Sequence, residues 1–465
     1  MTQHDMFAER HVLHSRDGRL AESGPPTTRA QVREMVRRAG DSPRGLVLYI
    51  HGGLVTTSAA LTTAECLAPE IAGSGGYPVF LVWETGLLDS LLDAFAGPAR
   101  VIFGALADAV AEMPEEGERR PVLERRLRSD PLLVAEVERA ARTPPRRRAG
   151  GVDALNGDLL RAALTPETYR AVFGIAGDRR GALPLEPFDS FLAFAFGVLD
   201  ELRAREPYGW LHGPRQSVLE ECVRAVGVGA AAWDEMTADA GRNLGPTGAV
   251  TVLLEAIRDR EAAGAPPLPV TVIAHSAGSM IACDLIDRWP AVPGAGRLDV
   301  VLLAPSASAE RFALTLRADA VAPVLAGLRI FTMTDAAERA DALPRMTQRV
   351  YEHSLLYFVS GACESRADRP LSGMRRFADA EELTPSSRRR SGWADQTPLV
   401  TAAEHAAIRT IERYLAADPD RLVLTPTPAD APAGRASSAR SHEGFVWATR
   451  ESIRHIVAHG LADGR

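Results

Sequence analysis

The stretch TVIAHSAGSMIACDLI, residues 271–286, decides how the chain is read. With Val270 it opens as a β-branched apolar run to Ile273, the composition of a buried strand. It bends through Ala274-His275-Ser276-Ala277-Gly278, then places Met280, Ile281, Leu285 and Ile286 at helical spacing. A serine flanked by small residues thus stands where a strand hands over to a helix. A sharp turn there brings neighbouring backbone close, so bulky neighbours are disfavoured. An ordinary turn serine would satisfy the same pattern, so the rest of the chain has to decide.

Working outward towards the N-terminus, GLVLYIHGGLV (45–55) supplies a second apolar run, Leu46 to Ile50, ending in His51-Gly52-Gly53. Paired glycines at a strand end let the backbone turn its N–H groups into a site. Residues 56–75 read as a helix, and PVFLVWETG (78–86) as a further buried strand with Trp83 and Glu84 at its end. From 87 to 245 no strong strand pattern occurs. Helices are expected over 87–111, 118–142, 153–173, 187–205 and 216–240, separated by proline and glycine breaks. The arginine-rich part, 114–150, is interleaved with acids and reads as a solvated face.

Towards the C-terminus, an amphipathic helix (248–263) precedes the serine stretch. LDVVLLAPSA (298–307) and LRIFTMTD (328–335) read as strands, and RLVLTPT (421–427) as the last one. A helical pattern covers 399–416. A loop rich in small residues leads to Ser441-His442-Glu443-Gly444 and a final helix at about 446–460. Ser306 and Ser308 also lie at a strand end but lack the strand-serine-helix pattern.

Small-x-Ser-x-Gly at a strand-helix junction, a His-Gly-Gly loop after an earlier strand, and the order of the segments together resemble the α/β-hydrolase superfamily. That family's elbow begins with glycine where this chain has Ala274. The resemblance covers about 45–86 and 245–465. It implies a mainly parallel, doubly wound α/β sheet, with 41–86 and 246–465 as the core, 87–245 as a helical cap, and 1–40 as a polar flank. It makes Ser276 the nucleophile and His442, on the loop before the last helix, the general base. Asp335, at a late strand end, becomes the orienting acid, ahead of Asp341 and Glu338; its other role would be a helix cap. The N–H of Ala277, with that of Gly53 or Leu54, would hold the oxyanion. Of the other histidines beyond Ser276, His405, His455 and His459 fall in helical patterns and His353 lacks a strand-end loop.

The implied function is serine hydrolysis of a carboxylic ester, esterase- or lipase-like. Thioesters, amides and acyl transfer use the same triad, and a regulated effector module with low basal activity is the alternative from another class. A small-molecule or lipid ester is the expected partner. The net charge of −7 argues against nucleic acid as the main one. No phosphate loop, metal-ligand cluster or cofactor fingerprint is visible, so no cofactor is expected. No apolar run reaches the ~20 residues of a membrane span, which leaves peripheral membrane contact open. No secretory signal is visible, and the four scattered cysteines read as buried thiols, so a cytoplasmic location is expected. All 53 basic residues are arginine.

Overall fold

The two apolar runs that flank the glycine and serine turns become neighbours. In the computed structural model, Leu46–Ile50 (β3) pairs in parallel with Val270–His275 (β5), Ile50 opposite Ala274. The structure describes residues 3–53, 55–83, 98–113, 119–142, 187–205, 213–292, 296, 298–317, 325–343, 351–378 and 400–461. Leu54, Glu84, the expected helix at 153–173 and the start of the one at 87–111 lie outside these residues.

The architecture is mixed α/β around one eight-stranded sheet, ordered β2-β1-β4-β3-β5-β6-β7-β8. The other strands are Val12–Arg16 (β1), Arg19–Leu20 (β2), Tyr77–Trp83 (β4), Leu298–Leu303 (β6), Leu325–Met333 (β7) and Leu422–Thr425 (β8). Only the β1–β2 pair is antiparallel. Every residue of β3, β4 and β5 is buried. That requires cover on both faces, and it is why these strands read as unbroken apolar runs rather than alternating ones.

Two expectations change. Residues 12–20 belong to the sheet and not to a polar flank: β1 pairs in parallel with β4. His14 and Ser15 hid this strand from a reading based on apolar runs, yet both are buried. The expected single helices at 118–142 and 216–240 are each two. Arg119–Ser129 stops before Asp130-Pro131, where Pro131 begins the next helix, and Pro214–Val226 stops at Gly227, which has a left-handed φ of +77°. A proline at a first helical position and a glycine past a last one are the expected punctuation.

Among the described residues, no helix is long and apolar enough to cross a membrane. Cys222, Cys283 and Cys363 are buried thiols, whereas Cys66 is exposed.

The strand order places a topological switch at the centre. From β3 the chain moves to one side to make β4, then returns to make β5 on the other. Loops leaving the C-terminal ends of β3 and β5 therefore diverge and leave a crevice between them. His51-Gly52-Gly53 leaves the first end and Ser276 the second.

The elbow helix, Gly278–Arg288, crosses β3 at close range. A Cβ on Gly278 would lie 2.7 Å from the carbonyl oxygen of Ile50 and 2.9 Å from that of His51. Gly278→Ala should therefore push the helix off the strand and cost about 1–3 kcal/mol. A urea unfolding midpoint equal to wild type would count against this close-packing argument.

Candidate active site

Ser276 adopts φ +50°, the left-handed region that non-glycine residues rarely enter. The strain is held by tertiary bonds. The Ser276 N–H donates to the Leu303 carbonyl at 2.9 Å, and its own carbonyl accepts from the N–H groups of Ser279 (3.0 Å) and Ser306 (3.2 Å). Gly52 faces it: a Cβ there would sit 3.0 Å from the Ser276 Cβ. Ala274, in place of the family's glycine, fits within β5 with no exposed surface.

The Ser276 Oγ lies 2.9 Å from the Nε2 of His442. Both residues are buried, although they stand 166 positions apart. Burial, with a smaller contribution from His275, holds the His442 imidazole well below its ordinary pKa. It is therefore neutral at neutral pH, the state a proton acceptor requires. With Nε2 accepting from the serine hydroxyl, the neutral ring carries its proton on Nδ1. That Nδ1 is buried and has no hydrogen-bond partner among the described residues.

The main chain of His442 is held on both sides. Its N–H donates to Oδ2 of Asp341 at 2.8 Å. Its carbonyl accepts from the Nε2 of His275 at 3.1 Å. His275 is itself buried and its pKa is lowered to about 4 by burial, so it serves as a neutral donor.

Asp335 does not meet His442. Strand β7 ends at Met333, the Thr334 side chain caps the helix Asp335–Ala340, and Asp335 occupies that helix's first turn. Its carboxylate accepts from the Tyr357 hydroxyl. The helix then carries the chain to Asp341, the acid that touches the histidine. Sequence position after a strand favoured Asp335; one and a half helical turns bring Asp341 instead to the main chain of His442.

Glu338, the third acid, is buried and paired with the Ser354 hydroxyl. Burial, with smaller repulsion from Asp341 and Asp335, raises its carboxyl from 4.5 to about 8. The folded state thus keeps a proton that the unfolded chain loses above 4.5, and stability falls as pH rises towards 8. His51 and His275 act in the opposite sense, but only between about 4 and 6.5. Glu338→Gln should flatten the decline in melting temperature between pH 6.5 and 8. A slope as steep as in wild type would show that Glu338 does not titrate there.

The loop after β3 is clamped by His51. Its Nδ1 bonds the Gly52 carbonyl (2.7 Å), and its Nε2 accepts the Trp83 N–H (3.1 Å). The Trp83 indole Nε1 returns a bond to the His51 carbonyl at 3.0 Å. The acceptor role at Nε2 fixes the Nδ1–H tautomer, so His51 is a structural clamp on the glycine loop. Trp83, which reads in sequence as a packing residue, both packs and anchors this loop.

Ala277 precedes the elbow helix, and no side chain caps that helix. The N–H groups of Ser279 and Met280 in its first turn donate to the carbonyls of Ser276 and Ala277, at 3.0 Å each. Gly53 lies against Ala277 and Met236: a Cβ would be 3.2 Å from the Ala277 Cβ and 2.4 Å from the Met236 Sδ. Met236 belongs to the helix Val228–Arg242, so the expected cap segment reaches the glycine loop. Thr237 on the same helix contacts the Met280 sulfur of the elbow helix at 3.7 Å.

A cavity of about 200 Å³ opens beside Ser276 and His442. Tyr49 lines it, a residue that sequence patterning assigned only to the strand interior. Among the described residues, no group of three or more His, Cys, Asp or Glu side chains is disposed to hold a metal ion. Compared with known proteins, the chain matches no family model, no curated protein and no solved structure.

Proposed function

We propose that this chain is a serine hydrolase of the α/β-hydrolase type that cleaves a carboxylic ester through an acyl-enzyme. The observation that carries the proposal is the 2.9 Å contact between Ser276 Oγ and His442 Nε2, made by a serine in left-handed conformation at a strand-helix junction.

In this reading Ser276 Oγ attacks the ester carbonyl as its proton passes to His442 Nε2. The N–H of Ala277, with that of Gly53 or Leu54, receives the oxyanion. The tetrahedral intermediate collapses, His442 returns the proton to the leaving alcohol, and Ser276 keeps the acyl group. Water, deprotonated by His442, then attacks the acyl-enzyme and releases the acid. Asp341 takes the place first given to Asp335, because its carboxylate holds the residue that bears the base.

One observation favours a second reading, a hydrolase-like module with low basal turnover. Among the described residues the His442 Nδ1–H meets no acceptor, so the imidazolium formed during attack has no carboxylate at that nitrogen. Labelling with a fluorophosphonate probe separates the cases. Rapid labelling that Ser276→Ala removes supports the enzyme. Absence of labelling in the wild type, alongside an intact fold, supports the inert module.

A further inference from the structure

We propose that Met236 is a positioning residue for the oxyanion loop: its thioether, delivered by a helix of the expected cap segment, sets where the Gly53 backbone stands against Ala277. The inference rests on the serine-hydrolase reading and adds a residue to the machinery of that same site.

The contact comes first. The space that a side chain on Gly53 would take is already filled. A Cβ there would lie 2.4 Å from the Met236 Sδ, 3.0 Å from the Met236 Cε and 3.2 Å from the Ala277 Cβ. Gly53, Ala277 and Met236 therefore meet at one point. Ala277 carries one N–H assigned to the oxyanion. Gly53 carries the other, either its own or, across its carbonyl carbon, that of Leu54. Met236 is the side chain packed where these two backbone segments meet, and it is buried. Close-packed side chains resist compression, so such a contact fixes a backbone position.

The helix behind the contact is itself held. Val228–Arg242 turns one face to the interior, with Trp233, Met236 and Ala240 buried at helical spacing. Near its start, the Trp233 Nε1 donates to the buried Glu364 Oε1 at 3.0 Å, and Arg369 holds the other oxygen of Glu364 at 3.0 Å. In its middle, the Thr237 hydroxyl meets the Met280 sulfur on the elbow helix. At its end, Arg242 packs on the β1–β2 turn, where a Cβ on Gly18 would lie 2.3 Å from the Arg242 Cβ. The helix thus has fixed points on either side of Met236. It serves the site as a buttress.

The chemistry follows from the contact. Oxyanion donors act at about 2.7–3.1 Å from the oxygen as its charge develops. A shortened side chain at 236 leaves space beside Gly53, and a glycine backbone has the freedom to relax into it. The loss then falls on the charged tetrahedral state and spares binding of the neutral ester.

The test uses the full chain, p-nitrophenyl butyrate and a trifluoromethyl ketone. When the ketone binds, the Ser276 Oγ forms a bond to its carbonyl carbon. The C=O π bond opens to an alkoxide, the serine proton goes to His442 Nε2, and no group leaves. The stability of this adduct reports the oxyanion donors directly. It is measured as protection against fluorophosphonate labelling, which needs no turnover. Met236→Ala is expected to lower kcat and ketone affinity together by about tenfold, with KM within about twofold of wild type. Met236→Leu, close in volume, should recover both to within about threefold. Met236→Val takes the place of Met236→Ala if that variant does not fold. Ile257→Val, a buried change on the helix Ala249–Ala262, is the control for a general loss of packing and should leave ketone affinity unchanged. A loss of ketone affinity under threefold in Met236→Ala overturns the proposal, as does a Met236→Leu variant as impaired as Met236→Ala. A wild type that labels but gains no protection from the ketone overturns this inference alone. A wild type that does not label overturns it together with the serine-hydrolase reading.

Discussion

Ser276→Ala is expected to abolish ester hydrolysis, lowering kcat by about 10⁴-fold or more, while the protein stays folded. The substitution removes one hydroxyl whose hydrogen-bond partner is the His442 imidazole. Alanine keeps the backbone bonds from and to residue 276 that hold the elbow against Leu303, Ser279 and Ser306. Thermal unfolding should therefore shift little. His442→Ala should produce a loss of similar size, and the double variant should lose no more than either alone. Nucleophile and base act as one unit, so their effects do not add. Residual turnover within tenfold of wild type in Ser276→Ala would place the chemistry elsewhere. Losses in the two variants that multiplied would show that the serine and histidine act separately.

The acid is the second large effect. Asp341→Ala is expected to lower kcat/KM by about 10²-fold or more, and Asp335→Ala by less than tenfold. Asp341 accepts the main-chain N–H of His442 at 2.8 Å, and the N–H of Ala342 fixes its other oxygen, also at 2.8 Å. Removing this carboxylate frees the main chain of the loop that carries the base. Asp335 is committed to the Tyr357 hydroxyl, so its removal loosens a packing contact away from the base. Steady-state kinetics of the two variants, with circular dichroism to confirm folding, decides the matter. The reverse ranking would restore Asp335 as the functional acid.

These two expectations differ in how they were reached. Ser276 and His442 were legible in the sequence because each sits at a junction whose local pattern is unusual. A serine between small residues marks the end of a buried strand, and a histidine sits in a small-residue loop before a terminal helix. Their spatial meeting, across 166 positions, follows from parallel strands that all deliver their C-terminal ends to one edge. The acid was not legible. Asp335, Glu338 and Asp341 follow one strand within seven residues, and which of them reaches His442 depends on the length of one short helix. Helix ends are set by a single cap, here Thr334, and sequence periodicity locates such ends poorly.

The edge of the sheet shows the same limit. Strand β1 contains His14 and Ser15, polar residues that sequence patterning assigns to a surface flank. Both are buried, and Thr27 folds back onto this strand: its hydroxyl accepts the His14 N–H at 3.0 Å and donates to the Val12 carbonyl at 3.2 Å. A long-range bond of this kind leaves no mark on local composition.

The sequence by itself determined the mixed α/β class, the mainly parallel sheet and the strand-serine-helix turn, because burial on both faces and close helix crossing restrict residue type along continuous stretches. Tertiary structure alone decided which acid holds the histidine and which N-terminal residues join the sheet. Each of these depends on where a side chain ends after the helices and loops have packed, a three-dimensional distance that residue spacing does not encode.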